Sequence, residues 1–253
     1  MMDVAILGAA SFVAGIVDAM VGGGGLIQIP ALFAVLPKEV PATLFGTSKL
    51  AGLFGSGTSA LSYARRVRIA WSAVAPAAVA AFALSFAGAY TVTRVPSDFV
   101  RALLPVMLLF VAVYTFRNKD LGSSHAPLHS GDTERYVAVA LGAGIGFYAG
   151  FFGPGAGSFL IFLFVRYFGF DFLNASAAAK VVNVACNISA LMWLGYNGHI
   201  LWQLGLVMAA CQVAGSIVGT RIALRHGSAF VRKLFLVVVA LLILKTGYDA
   251  FLM

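Results

Sequence analysis

The sequence predicts an all-α polytopic membrane protein built from two inverted-topology repeats. Three observations point there. Of 253 residues, 61% are hydrophobic and only 10% charged, with mean hydropathy +0.95, which leaves far too little polar surface for a water-soluble globule. Apolar stretches recur from end to end at the length of about 20 residues that a helix needs to cross the hydrocarbon core. A gapless shift of 131 residues also lays Lys49 on Lys180, Gly15 on Gly146, Gly22 on Gly153 and Gly24 on Gly155.

The first apolar segment, 3–21, lacks a basic n-region and runs straight into glycines, so it reads as a retained membrane segment and not a cleaved signal peptide. Gly22, Gly23, Gly24 and Gly25 follow. Each weakens helix by about 1 kcal/mol relative to alanine, so the backbone is expected to unwind there. A shorter apolar segment, 24–37, precedes three longer ones at 41–64, 69–93 and 99–116. Residues 117–134 form a polar linker rich in Gly, Ser, Pro, His and charge, expected on the cytoplasmic side. The second half repeats the order with segments at 135–152, 155–169, 172–196, 200–224 and 231–252. The division is therefore a first repeat 1–116, the linker 117–134 and a second repeat 135–253. Each repeat holds a glycine-broken helix pair or re-entrant hairpin plus three longer transmembrane helices, which makes 8–10 membrane segments.

Loop charges set the orientation, because cytoplasmic loops collect Lys and Arg. The turn after the third segment holds Arg65, Arg66 and Arg68, while its counterpart, Tyr196 to His199, has no Lys or Arg. The next turn reverses the bias: Arg94 and Arg101 with Asp98 in the first half, but Arg221, Arg225, Arg232 and Lys233 in the second. Equivalent loops thus favour opposite faces, as inverted repeats require. The two segments around each glycine cluster must then return the chain to its starting side. With that parity, Arg65 to Arg68, the linker ends and the Arg221 to Lys233 cluster share the cytoplasmic face, and both termini lie outside.

The net charge of +8 sits largely in these orienting loops, so nucleic acid is not an expected partner. Cys186 and Cys211 lie in apolar segments without metal-ligand spacing, and the four histidines are in or near loops. No metal or cofactor is expected. Neither an H-E-x-x-H motif, a duplicated carboxylate pair nor a serine–histidine arrangement marks an enzyme.

Candidate site residues come from the duplicated features. Unwound backbone inside a membrane is tolerated only around protein or a water-filled cavity, and amides at the next helix N-terminus can face an anion. This nominates Gly22, Gly23, Gly24 and Gly25 with Gly153, Gly155 and Gly157, whereas Gly142, Gly146 and Gly150 read as a close-packing stripe. A lysine near the bilayer centre costs about 2.5–3.5 kcal/mol on insertion scales. Lys49 and Lys180 each lie about 12 Å into their helices at 1.5 Å per residue. Spacings of three and four put Gly52 and Ser56 on the face of Lys49, and Asn183 and Asn187 on the face of Lys180. Such faces suit an oxyanion that is held and then released. Asp18 is not duplicated, since the shift sets Ala149 opposite it; it either accepts a proton during transport or pairs with Lys49. Gln28 and Gln212 either bond between helices or meet the substrate. Lys245 and Asp249 read as an ordinary pair four apart. Small-residue faces, including Gly215 and Gly219, offer a route to a homodimer.

The glycine cluster followed by a short helix ending in proline, the repeated K-x-x-[GN]-x-x-x-[SN] helix and two apolar halves of this size resemble the TauE/SafE family over residues 3–252. The resemblance implies a bacterial inner-membrane permease that exports sulfite, sulfonates such as sulfoacetate, or related sulfur oxyanions. The second copy departs from the pattern with Gly153, Pro154, Gly155, Ala156 and Gly157 in place of a pure glycine run. The expected activity is secondary transport of a small sulfur-containing anion by alternating access, with possible proton or ion coupling. A passive anion channel and, further off, a membrane-embedded enzyme are the alternatives.

Overall fold

The computed structural model describes residues 2–100, 103 and 131–252, with side chains through Leu234 apart from Arg232. The expected segment 99–116, most of the linker and the Lys245–Asp249 pair lie outside the residues or side chains so described. The described elements are helices: α1 Met2–Val21, α2 Gly24–Val35, α3 Pro41–Ala64, α4 Trp71–Val92, α5 Gly131–Phe151, α6 Ala156–Phe168, α7 Phe172–Tyr196 and α8 Trp202–Leu252. One boundary differs from the sequence reading by several residues. Helix α5 starts at Gly131, ahead of the expected 135, with Asp132 and Glu134 in its first turn, where acidic groups favour a helix N-terminus. The run α8 consists of two helices that meet at a kink at Gly227, whose φ of 73° and ψ of −173° are non-helical, between the expected segments 200–224 and 231–252.

Length and composition separate these helices into kinds. Among the described residues α1, α4, α7 and the Trp202–Val231 part of α8 are long and apolar enough to cross a membrane. Helix α3 is equally long at 24 residues but carries Thr47, Ser48, Lys49, Ser56 and Ser59 on its buried side. Helices α2 and α6, with 12 and 13 residues, rise only about 18–20 Å against a core of about 30 Å and do not cross alone.

Packing is exchanged between the halves. The most extensive contacts join α4 with α5 and α1 with α8, followed by α3 with α8 and α4 with α7. Swapping each helix for its counterpart under the 131-residue shift turns this set into itself. A Cβ added at Gly146 would fall on the Ala81 backbone, and one at Gly15 on the Gln212 backbone, which are shift-related contacts. Gly88 on Phe147 and Gly219 on Ile16 form a second such pair.

Contact order also gives direction. Gly142, Gly146 and Gly150 meet Ala77, Ala81 and Ser85 in turn, so α5 runs parallel to α4. Gly215 and Gly219 meet Phe12 and Ile16, so α1 runs parallel to α8. Ser59 bonds Thr220 while Gly55 abuts Gln212, which sets α3 parallel to α8 as well. Asp18 and Met20 of α1 meet Lys180 and Ser176 of α7, in the opposite sense. Helices α1, α3 and α8 thus run together and oppose α7, the counterpart of α3. The face of Gly215 and Gly219, expected as a route to a homodimer, is covered by α1 of the same chain, because small residues there allow close intramolecular approach.

One cap ties the break in α8 to α7. Asp171 accepts hydrogen bonds from the Leu173 and Asn174 amides, and Ser228, next to Gly227, donates to it at 2.7 Å. Burial alone would raise the Asp171 carboxyl, but the bonds from Asn174, Ser228 and Leu173 together hold it below its ordinary value. A carboxyl lowered in the fold adds stability that is present above its unfolded value of about 3.9 and lost as pH falls through the lower folded value. Thermal melts in detergent should therefore show an acid-side loss of stability below about pH 4 that shrinks in Asp171→Ala, which should also cost about 1 kcal/mol at neutral pH through the missing cap.

The close contacts make a second prediction. Gly146→Leu should lower stability by about 1–3 kcal/mol, because its side chain must displace α4 backbone. Gly144→Ala, with nothing within 4 Å of the new Cβ, should be neutral or stabilising by up to about 1 kcal/mol. Equal melting shifts for the two would contradict the packing described.

Candidate functional site

The two helix breaks meet each other at the centre of the fold. Gly22, with φ of 74°, and its counterpart Gly153, with φ of 96°, both adopt the left-handed conformation that glycine permits. A Cβ at Gly22 would collide with Gly157, and one at Gly25 would stand 3.2 Å from Pro154. Ser158 Oγ donates to the Val21 carbonyl at 2.8 Å and so satisfies backbone at the first break. The unwound stretch is shorter than the expected run from Gly22 to Gly25, because Gly24 and Gly25 already belong to α2. Gly24 is needed for proximity instead: a Cβ there would lie 2.6 Å from that of Asp18. The N-termini of α2 and α6 begin at Gly23 and Gly155, and neither carries a side-chain cap. Their first amides are thus left without a side-chain acceptor.

The two lysines occupy related places but have different partners. Lys180 is wholly buried at 0% exposure, with Nζ 2.8 Å from Asp18 Oδ2. Ser56 donates to the same oxygen at 3.2 Å. Lys49 donates to the Ala149 carbonyl. Positions 18 and 149 are counterparts under the shift, so each lysine reaches the same place in the opposite half and finds a carboxylate in one case and a peptide carbonyl in the other. Asp18 pairs with Lys180 and not with Lys49, because α7 carries Lys180 past the end of α1. Among the described residues, Lys49 has no ion-pair partner.

These groups surround a cavity of about 70 Å³. Of the candidates nominated by sequence, Lys49, Asp18, Ser56, Asn183, Asn187, Gly22, Gly25, Gly153, Gly155 and Gly157 line it. Gly23, Gly24 and Lys180 do not; Lys180 stands behind Asp18. Gln28 and Gln212 bond between helices and also line the cavity. Gln28 Nε2 donates to Gln212 Oε1 at 2.9 Å and to Ser11 at 3.0 Å. Ser48 completes the chain by donating to Gln28 Oε1 at 2.6 Å. Ser48 and Cys186 are lining residues to which sequence reasoning gave no role. The signal was available in part: Ser48 adjoins Lys49, and Cys186 lies three residues after Asn183 on the same helical face. Phe45, Phe152 and Ile29 add an apolar wall.

The arrangement offers one ammonium without an ion-pair partner among the described residues, several neutral hydrogen-bonding side chains and two uncapped helix starts around one polar cavity. The profile described as "Sulfite exporter TauE/SafE" matches residues 7–246, nearly the whole chain. The chain belongs to the TauE/SafE family. A relative from Sinorhizobium sp., named "Probable membrane transporter protein ORF9", is 40% identical over 92% of this chain and 88% of its own length. "Probable membrane transporter protein YfcA" of Escherichia coli K12 is 33% identical over 99% and 93%. A "Probable membrane transporter protein" of Haemophilus influenzae is 29% identical over 97% and 94%. No solved structure matches the chain. Membership in TauE/SafE, such relatives and the apolar helices make this a membrane transporter.

The buried ion pair predicts a sign pattern in stability. Lys180→Met or Asp18→Asn alone leaves one buried charge unpaired and should cost about 3–5 kcal/mol, while the double variant should recover most of that loss. A double-mutant cycle on melting in detergent checks this; additive single losses would show that the two groups do not interact in the fold.

Proposed function

We propose that the protein is a secondary transporter, working as an exporter, of a small sulfur-containing anion such as sulfite or an organosulfonate. The observation that carries this reading is the buried Lys49 ammonium, free of any carboxylate among the described residues, lining a cavity beside Asn183, Asn187 and Ser48. A buried charge of that kind is costly unless a ligand of opposite sign completes it. The glycine breaks place uncapped amides beside the same space, which adds partial positive charge for oxygen atoms. The sulfur assignment rests on the family's description as sulfite exporters.

Alternating access would proceed between the repeats 1–116 and 135–253, joined by the linker 117–134. The cavity is lined from both halves, with α1, α2 and α3 facing α5, α6, α7 and α8 across it. Rocking one set of helices against the other would expose it to each side in turn. The basic residues orient the protein in the bacterial inner membrane with Arg65, Arg66 and Arg68 cytoplasmic and both termini periplasmic. Asp18, the acidic group lining the cavity, is the candidate for proton coupling, through exchange of its pairing with Lys180 for a proton.

Reconstitution tests the reading. Liposomes holding the purified protein should take up radiolabelled sulfite saturably, and Lys49→Ala should reduce uptake at subsaturating sulfite by about tenfold or more, the worth of one charge-assisted bond of about 1.5–3 kcal/mol. An imposed pH gradient should change the initial rate if protons are coupled. Uptake that does not saturate would point to a channel, and uptake unaffected in folded Lys49→Ala would remove the site from Lys49.

A further inference from the structure

We infer that the cavity takes a compact oxyanion bearing a single negative charge, and that the Lys180–Asp18 pair is what enforces that limit. The inference rests on the transport reading above and narrows its substrate class. Charge counting comes first. Lys49 and Asp18 are the charged side chains that line the cavity, and Lys180 lies behind Asp18 with its ammonium spent on the carboxylate. The pair is neutral in sum, so Lys49 alone sets the charge of the site at plus one.

The surroundings reinforce the limit. Asp18 Oδ2 is held by both Lys180 and Ser56, which keeps the carboxylate in place against the cavity. A second negative charge on the substrate would face that carboxylate, and like charges brought close together repel. The other polar lining side chains, Gln28, Ser48, Ser56, Asn183, Asn187 and Gln212, are neutral, and orient a ligand without adding charge.

Size is consistent with a compact ligand. A cavity needs about 10–15 Å³ on this measure to hold one water, so about 70 Å³ holds about five. That is room for one central atom with three or four substituents. The apolar wall of Phe45, Phe152 and Ile29 accepts a substituent that is not oxygen, which places a methyl group as readily as a fourth oxygen.

The class is therefore a singly charged oxyanion of sulfur, of which hydrogen sulfite and the smallest alkylsulfonates are members. The duplication makes the device legible. A chain with a carbonyl at both positions 18 and 149 would present two ammonium groups to one cavity and would suit a doubly charged ligand. Asp18 removes one of the two.

Methanesulfonate and sulfate test this directly, since they match in shape and non-hydrogen atom count and differ by one charge. Calorimetric titration of the purified full chain in detergent should give methanesulfonate the tighter binding by about tenfold or more. Asp18→Asn releases Lys180 to the cavity and should move the ratio of the two affinities toward sulfate by about tenfold or more. Equal affinities in the wild type overturn the inference, as does an unchanged ratio in a folded Asp18→Asn protein. If Asp18→Asn does not fold, the wild-type comparison decides by itself. Sulfite uptake that persists while neither probe binds would overturn the charge and size limit and leave the transport reading standing; loss of sulfite uptake in the wild type would remove that reading.

Discussion

A helix interrupted inside a membrane exposes amides and carbonyls that lipid cannot satisfy, and this constraint organises the whole molecule. Here each break is covered by the other. Gly22 sits on Gly157 and Gly25 on Pro154, so the loose backbone of one half is shielded by that of the opposite half. Such contact requires the backbones to come within the radius of a missing side chain, which is why glycine recurs at both breaks and again where α5 meets α4 and α1 meets α8. The cavity is the space these two breaks cannot fill. Its lining is polar because the surrounding helices turn their few hydroxyl, amide and ammonium groups toward it.

Much of this was legible in the sequence, for reasons that differ by element. Helices α2, α3 and α7 begin where their apolar segments begin, since Pro41 at the start of α3 and Asp171 as the cap of α7 are local signals. Loop charge predicts opposed directions for the two halves, and among the described helices the contacts set α3 against its counterpart α7. The extent of the unwound stretch did not follow from composition. Gly24 and Gly25 count as helix breakers by propensity, yet they continue α2 because tight packing against Asp18 and Pro154 demands the absence of a side chain. The partner of Asp18 was not readable either. Sequence shows that Asp18 and Lys49 share the first half; it does not show that α1 lies closer to the lysine of the other half.

The lysines illustrate how duplication and function diverge. Two copies of one unit begin with two equal cations, and a single unduplicated residue separates their roles. Lys180 becomes part of the scaffold that holds α7 to α1, and Lys49 keeps its donor bond to a carbonyl and its access to the cavity. The asymmetry extends to the loops. Pro154 stiffens the second break, and the second turn carries two left-handed glycines, Gly153 and Gly155, where the first has only Gly22. One break is thus more fixed than the other in backbone terms.

The exchange of partners between halves has a consequence for how the protein is made. Helix α1 lies chiefly against α8, and α5 chiefly against α4, so neither half buries its own first helix. The ribosome delivers α1 well before α8. Until α8 is made, the glycine face of α1 around Gly15 has no partner within the chain yet made, and only lipid or a membrane chaperone can cover it. Final closure must therefore be a late, long-range event in which α8 slides in beside α1, and a chain truncated before α8 would leave α1 inserted but undocked.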